Sequence, residues 1–445
     1  MTAQSINLSE FVSTYAHPGE RVLYSGHDWQ TAYPDHGQRR KNFRILMEAC
    51  LRANGGSGAA NGTGWYSTNH SNEGVLRSDG GEVVIEAPLH HEPFDDEYAP
   101  VFSIPATDQR GFDTRGWTFP GGLSIRGQGT RGQSGSTWGD TTLAGPRLIG
   151  WGSPAARWYG GAGPVPVNST RRHMSCWSLK GVELSATEGN VFHVAHFREN
   201  GRTTGLNQFW QLDAVIDMTP GTTVGALIQC GVHCDVPRLQ IMGHGVGEWG
   251  LVVTGQYDGH TRIAPTTTID FGRVMVHGTK RGSLFSYASC LIGGLNLERS
   301  SHQPECRQQL VIGAGCQVVN IGRYWGESNQ MPDTATPSGG DNATMVVGGN
   351  DSEWNPSYGI VPYTPPVLVN IEQAFASASP TSPPGALVKL NSARAVSVGQ
   401  IYAQGYAVGL HIAGNLSGTY NSRLIAGSGV PVLDESDRSM RDIAA

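Results

Sequence analysis

Short apolar segments recur along the middle of the chain with polar residues between them: Leu179 to Leu184, Leu212 to Met218, Leu239 to Met242, Ile269 to Val276, Leu291 to Leu297 and Val318 to Ile321. One anchor taken from each (Leu184, Ile216, Ile241, Val274, Leu295 and Ile321) gives separations of 32, 25, 33, 21 and 26 residues. Self-similarity at such a period marks a repeat architecture. Each segment is too short for a helix and carries two or three alternating apolar positions, which predicts a stack of strands, one or more per turn of a solenoid. A solenoid grows by adding turns and escapes the limit on a single globular core. A length of 445 residues therefore does not by itself call for several domains.

The flanks predict how the stack begins and ends. Residues 1–37 form an N-terminal segment, a candidate docking or assembly region, in which Arg21 to Tyr24 reads as a strand and Gly26 to Trp29 as a turn. From Gln38 to Ala53 the period becomes helical, with Phe43, Leu46, Met47 and Cys50 on one face and Gly55-Gly56 as terminator. Such a helix would plug the open end of a coil, whose unpaired terminal strand is otherwise an aggregation hazard. A polar loop over 55–74 leads to Gly80-Gly81, a strand over Val83-Val84-Ile85 that ends at Pro88, and a second turn-bounded strand over Gly122 to Gly129. Residues 38–150 are thus the capping helix and first turns, and 151–432 the body, with Pro/Gly-rich loop insertions near 326–366 and further strands at Met345 to Val347, Val367 to Val369, Ala395 to Ala403 and Tyr406 to Ile412. Residues 433–445 are a charged tail.

A helix, a Gly-Gly strand ending in proline, and a strand ending Arg126-Gly127-Gln128-Gly129 resemble the opening of the pectate-lyase-like β-helix superfamily, which includes bacteriophage tailspikes. The resemblance covers roughly residues 28 to 150. Leu89-His90-His91 and the long insertion before Gly80 depart from its usual pattern. It implies an all-β fold, a single-stranded right-handed parallel β-helix with an N-terminal capping helix, and for tailspike-like members a homotrimer. It implies no one activity, because the superfamily holds lyases, hydrolases, epimerases and non-enzymatic spikes.

Composition narrows the class. Sixty-one glycines and only 15% charged residues suit many tight turns and few charged helical surfaces. Eleven tryptophans and the regular aliphatic segments argue against disorder, and glycine lacks the three-residue period of collagen. A net charge of −6 leaves no nucleic-acid footprint. No segment is long and apolar enough to span a bilayer, and Met1 to Tyr15 lacks the basic start and apolar run of a signal peptide. Seven scattered cysteines fit buried thiols in a reducing cytosol rather than a disulfide framework.

In stacked strands, equivalent outward positions form ladders. Three residues past successive anchors stand His244, His277, Glu298 and Tyr324, and one residue past stand Asp217 and Asn296. This row is the candidate site. His277, Glu298 and Tyr324 are its candidate catalytic residues, while His244, Asp217 and Asn296 are candidate substrate contacts with the loop aromatics and their neighbours Trp249, Tyr257, Asp258, His260, Arg323 and Trp325. A lyase would need a base together with an arginine such as Arg323, Arg299 or Arg273 against the uronate charge. A hydrolase would need two carboxyl groups roughly 5 to 9.5 Å apart. Asp217 and Glu298 stand too far apart for that, which leaves Asp258, Asp270 or Glu327 as the second carboxylate. The competing reading is an outward ladder that merely solvates the coil.

Other motifs are weaker. Gly127-x-Gly129-x-x-Gly132 lacks the helix that a phosphate site needs. Cys230-x-x-His233-Cys234 has no second pair at zinc-finger spacing, and His90-His91 with Asp95-Asp96-Glu97 reads as a solvated loop cluster, so neither metal nor cofactor is expected. Together these features point to a phage virion-associated spike or fibre, assembled in the host cytoplasm, that binds and in one version cleaves a host surface polysaccharide and contacts other virion proteins through its N-terminal segment. The alternatives are a free polysaccharide lyase or glycoside hydrolase, and a structural virion decoration protein without a ligand.

Overall fold

The computed structural model describes residues 4–14, 16–25, 35–53, 81–93, 119, 122–128, 145–152, 154–160, 174–175, 177–196, 198–199, 202–203, 207–229, 231–257, 263–298, 309–329, 343–349, 363–378, 385–414 and 420–435. The described residues are mostly strands in parallel sheets with a single helix, an all-β arrangement consistent with a parallel solenoid. They group into two compact units. The first is built around Met1–Thr222 with Cys230–Asp235, and the second around Val236–Tyr257 and Ile263–Ala445 with Thr223–Gln229.

In the first unit the strands Ser5–Asn7, Glu82–Ile85, Ser124–Gly127, Ser178–Ala186 and Gln211–Asp217 stack in parallel register. The N-terminal segment thus supplies a rung at Ser5–Asn7, while Arg21 to Tyr24, the expected strand, belongs to no strand of any sheet. The expected helix is present as His36–Ala53, with Asp35 Oδ1 accepting from the Gln38 N–H at 2.7 Å as an N-cap. Its apolar face, Phe43, Leu46, Met47 and Cys50 included, is fully buried and meets the strands Glu82–Ile85 and Pro88–His91. Two polar side chains of the helix hold the N-terminal segment. Glu48, itself buried, accepts from Ser13 Oγ (2.6 Å), Thr14 N (2.9 Å) and Ala16 N (2.9 Å), and Asn42 bonds both the N–H and the carbonyl of Leu23 at 2.9 Å.

The second unit is the more regular. Its long strands, Thr266–His277, Ala288–Glu298, Val318–Asn329, Leu368–Ala378, Ala395–Gln404 and Tyr420–Ala426, are parallel and in register. Each is followed by a short strand of a second parallel sheet: Arg281–Ser286, Leu310–Ile312, Ala343–Val347, Ala386–Leu390, Val408–Ile412 and Val430–Asp434, with Trp249–Thr254 before them. Buried residues of this second sheet, Val224, Leu227, Trp249, Val252, Leu284 and Val311, form one apolar cluster.

In the long strands from Thr266–His277 to Ala395–Gln404 the alternation of buried and exposed positions slips at a corner. In Thr266–His277 the buried positions are Ile269, Phe271, Val274 and Val276; in the next rung they are Cys290, Ile292, Leu295 and Leu297. Between the two arms lie stacked glycines. A Cβ on Gly272 would stand 2.6 Å from the Pro237 carbonyl oxygen, one on Gly293 2.7 Å from that of Gly272, and one on Gly322 3.0 Å from that of Gly293. Only glycine permits backbones to approach this closely at the corner.

Candidate functional site

The corner sets which side chains face outward on the second arm of the long strands. Beyond it the pattern is strict alternation: Arg323, Trp325 and Glu327 are exposed while Tyr324 and Gly326 between them are buried. Register then assembles three outward rows. Along the corner run Arg273, Gly294, Arg323, Gln373 and Gln400; in the middle Met275, Asn296, Trp325, Phe375 and Tyr402; and on the far side His277, Glu298 and Glu327.

The expected row is thereby corrected at one end. His277 and Glu298 are register partners, as the spacing predicts. Tyr324 is not in their row. It pairs with Leu295, is 1% exposed and belongs to the core, and Glu327 takes its place beside Glu298. The cause is the corner: Ile321, the chosen anchor, pairs with Ile292 on the first arm, whereas Leu295 lies on the second, three residues further on. Asp217 is also corrected. It belongs to the first unit, is buried, and lies 3.4 Å from the guanidinium of Arg147, which also pairs with Glu183. Desolvation of Arg147 lowers its pKa, and the Asp217 charge opposes that shift. Trp249 is 0% exposed and sits in the apolar cluster of the second sheet, with Arg281 over its ring at 4.9 Å.

His244 is exposed in the turn after Gly231–Met242, with φ of 50°. It is close enough to His277 to lower that imidazole's pKa. For His277, burial is the larger cause and pushes the pKa down, while the Glu298 carboxylate pulls it up. Asn296 is half-buried and donates from Nδ2 to Glu298 Oε1 at 2.7 Å, and Trp325 donates from Nε1 to Glu327 Oε1 at 2.7 Å. Both carboxylates are therefore oriented by the outward residue two positions before them. Asp258, His260 and Arg299, and the side chain of Tyr257, lie outside the described residues, as does the loop over 55–74.

Two residues of this face went unnoticed in the sequence. Trp325, Phe375 and Tyr402 form a continuous outward stack, with ring centroids 4.2 Å apart at 21° and then 5.3 Å apart at 8°. Trp325 and Tyr402 are 43% and 44% exposed. These separations match the roughly 4.8 Å strand spacing, so the rings stack from strand to strand across the sheet. Phe375 covers one face of Trp325, and the other is turned toward the rung of Asn296. Phe375 and Tyr402 lie in segments whose period the loop insertion at 326–366 hides, so only the register aligns them with Trp325.

The weaker motifs resolve structurally. His90 and His91 form part of the strand Pro88–His91 and are fully buried, not a loop cluster. Trp151 Nε1 donates to His90 Nδ1 at 3.0 Å, and His91 Nε2–H donates to the Ala155 carbonyl at 3.0 Å. Burial holds the His91 pKa at about 4. Cys234 is a buried free thiol, and His233 stacks on Phe209 at 5.4 Å. Among the described residues no group of His, Cys, Asp and Glu is placed to hold a metal ion, and no helix is long and apolar enough to cross a membrane. Compared with known proteins, the chain matches no family model, no curated protein and no solved structure.

Proposed function

We propose that the chain is a virion-associated spike or fibre protein whose outer face in the second unit binds a host surface polysaccharide. The observation that carries this reading is the exposed stack Trp325, Phe375 and Tyr402, flanked by polar rows on both sides. Exposed aromatic surface is costly in water unless a partner covers it, and a sugar ring offers apolar C–H faces to an aromatic while its hydroxyls reach polar neighbours. In this reading the two parallel sheets are walls of a right-handed β-helix, the helix His36–Ala53 caps its first rung, and subunits assemble as the trimer that the tailspike resemblance implies. Trp325→Ala and Tyr402→Ala should each weaken retention on a panel of bacterial surface polysaccharides at least tenfold, while costing no more than roughly 1.5 kcal/mol of stability. Retention equal to wild type in both variants would remove the face as the binding site.

A second reading, cleavage of the bound polymer, is favoured by one observation: Glu298 and Glu327 are register partners on adjacent rungs, each oriented by a hydrogen bond. Adjacent rungs are about 4.8 Å apart, a backbone separation compatible with the carboxyl pair of a glycoside hydrolase. Glu298→Gln and Glu327→Gln should each abolish release of reducing ends while leaving retention intact. Wild-type protein that retains the polymer without releasing reducing ends or unsaturated uronate is a binding protein only.

A further inference from the structure

The rung Ala288–Glu298 is lower than its neighbours on the outer face. Its outward residues beyond the corner are Gly294, Asn296 and Glu298, the first two small and all half-buried. Beside them the preceding rung places the exposed Arg273 with Met275 and His277, themselves half-buried, and the following rung the exposed Arg323, Trp325 and Glu327. The flanking rungs stand two strand spacings apart, roughly 9.6 Å, and the longer side chains of Arg273, Met275, Arg323 and Trp325 make the walls of a slot over Gly294 and Asn296. One wall offers the thioether of Met275, the other the face of Trp325 that does not meet Phe375.

Gly294 is the informative residue. At Gly272 and Gly293 a Cβ would collide with stacked backbone, and at Gly322 it would stand tight against it at 3.0 Å. A Cβ on Gly294 would meet nothing within 4 Å, and its φ is not in the left-handed region. Neither packing nor conformation therefore requires glycine there. Its effect is to keep open the space between Arg273 and Arg323, which flank it in register and are both exposed. Two guanidinium forks across an empty position can converge on one planar anion, the geometry at which arginine exceeds lysine. Four residues on, roughly 13 Å along the strand, the same slot ends at Glu298 and Glu327, so its polarity runs from positive to negative.

We infer that the slot over Gly294 and Asn296 holds one anionic sugar residue of the polysaccharide, its carboxylate or phosphate between Arg273 and Arg323 and its ring against Trp325. This rests on the reading of the face as glycan-binding and adds the substrate class and the direction of the chain. The anion is drawn to the arginine end and repelled from the carboxylate end, which sets the sugar one way round.

The test uses the whole protein on an array of acidic bacterial polysaccharides, each beside its carboxyl-reduced and its dephosphorylated derivative. Wild type should retain at least one native polymer and lose it tenfold or more on one of the two treatments; which treatment does so identifies the anion. Gly294→Val adds a Cβ that meets nothing within 4 Å and narrows the notch, so it should keep the wild-type melting temperature and lose the same tenfold, as should Arg323→Gln. Equal retention of native and both treated polymers, or wild-type retention by Gly294→Val, overturns the slot while the aromatic face stands if Trp325→Ala still abolishes binding. No polymer retained by wild type overturns both.

Discussion

The molecule stacks aromatic rings twice, once inside and once outside. In the first unit Trp158, Trp177 and Trp210 are buried, with centroids 4.1 and 4.8 Å apart and interplanar angles of 7° and 6°. In the second, Trp325, Phe375 and Tyr402 repeat nearly the same spacing on the solvent side. The strand repeat imposes the geometry in both places. What differs is which side of the backbone the rings leave from, and so whether their stacking stabilises the fold or waits for a ligand.

The sharpest way to break that comparison is to delete one ring from each stack. Trp177→Ala removes a fully buried indole between two others, and large-to-small core substitutions of this kind cost roughly 3–5 kcal/mol. Trp325→Ala loses only one stacked neighbour and a half-exposed surface, roughly 0.5–1.5 kcal/mol. Urea unfolding of both variants should show the first shift several times the second, and equal shifts would mean that the outer stack is structural after all.

A smaller effect separates buried from exposed histidine. His91 is fully buried with a pKa near 4, while the unfolded chain protonates near 6.5. The unfolded state therefore takes up the proton first as pH falls, so the stability His91 supplies is present above pH 6.5 and is lost between 6.5 and 4. At about 1.4 kcal/mol per pKa unit the loss is roughly 3 kcal/mol. His91→Gln should flatten the fall in unfolding free energy across that window by about this amount; an unchanged fall assigns the acid sensitivity elsewhere. His277, half-buried and tempered by Glu298, should contribute the same sign and less.

How far the sequence could tell inside from outside depends on the corner. The apolar recurrence predicts the long strands well: Leu184 does pair with Ile216, and Val274 with Leu295. It misses most of the second sheet, because strands such as Trp249–Thr254, Leu310–Ile312 and Ala386–Leu390 are buried throughout, leaving no alternation to read. It also misplaces Tyr324 and Trp325. Adjacent residues in a strand face opposite ways, and which of the two enters the core depends on residues lost to alternation at Gly322 and Arg323. Counting from Ile321 puts Tyr324 outside, whereas the register puts it inside and Trp325 outside. The candidate row was legible where no corner intervened, at His277 and Glu298, and failed where one did.

Removing the middle ring tests whether the outer stack acts as a unit. Phe375 lies between Trp325 and Tyr402, so Phe375→Ala should let both rings relax and lower polysaccharide affinity about tenfold, or 1.4 kcal/mol. An affinity loss confined to Trp325→Ala would place the ligand at that ring alone.

The smallest expected effect distinguishes the face of Trp325 from its N–H. Trp325→Phe keeps an aromatic face toward Asn296 and the contact with Phe375, but it removes the donor that Glu327 accepts at 2.7 Å. The bond is solvent-exposed, so its net contribution to stability is small, and the unfolding free energy should move by less than about 0.5 kcal/mol. If the face is what the sugar meets, affinity should fall only two- to threefold, because the ring remains while its orientation loosens. If the carboxylate is what matters, the untethered Glu327 should cost turnover more than affinity. Measuring retention and reducing-end release on the same variant separates the two, since the inner Trp stack has no counterpart to that split: every change there is read in stability.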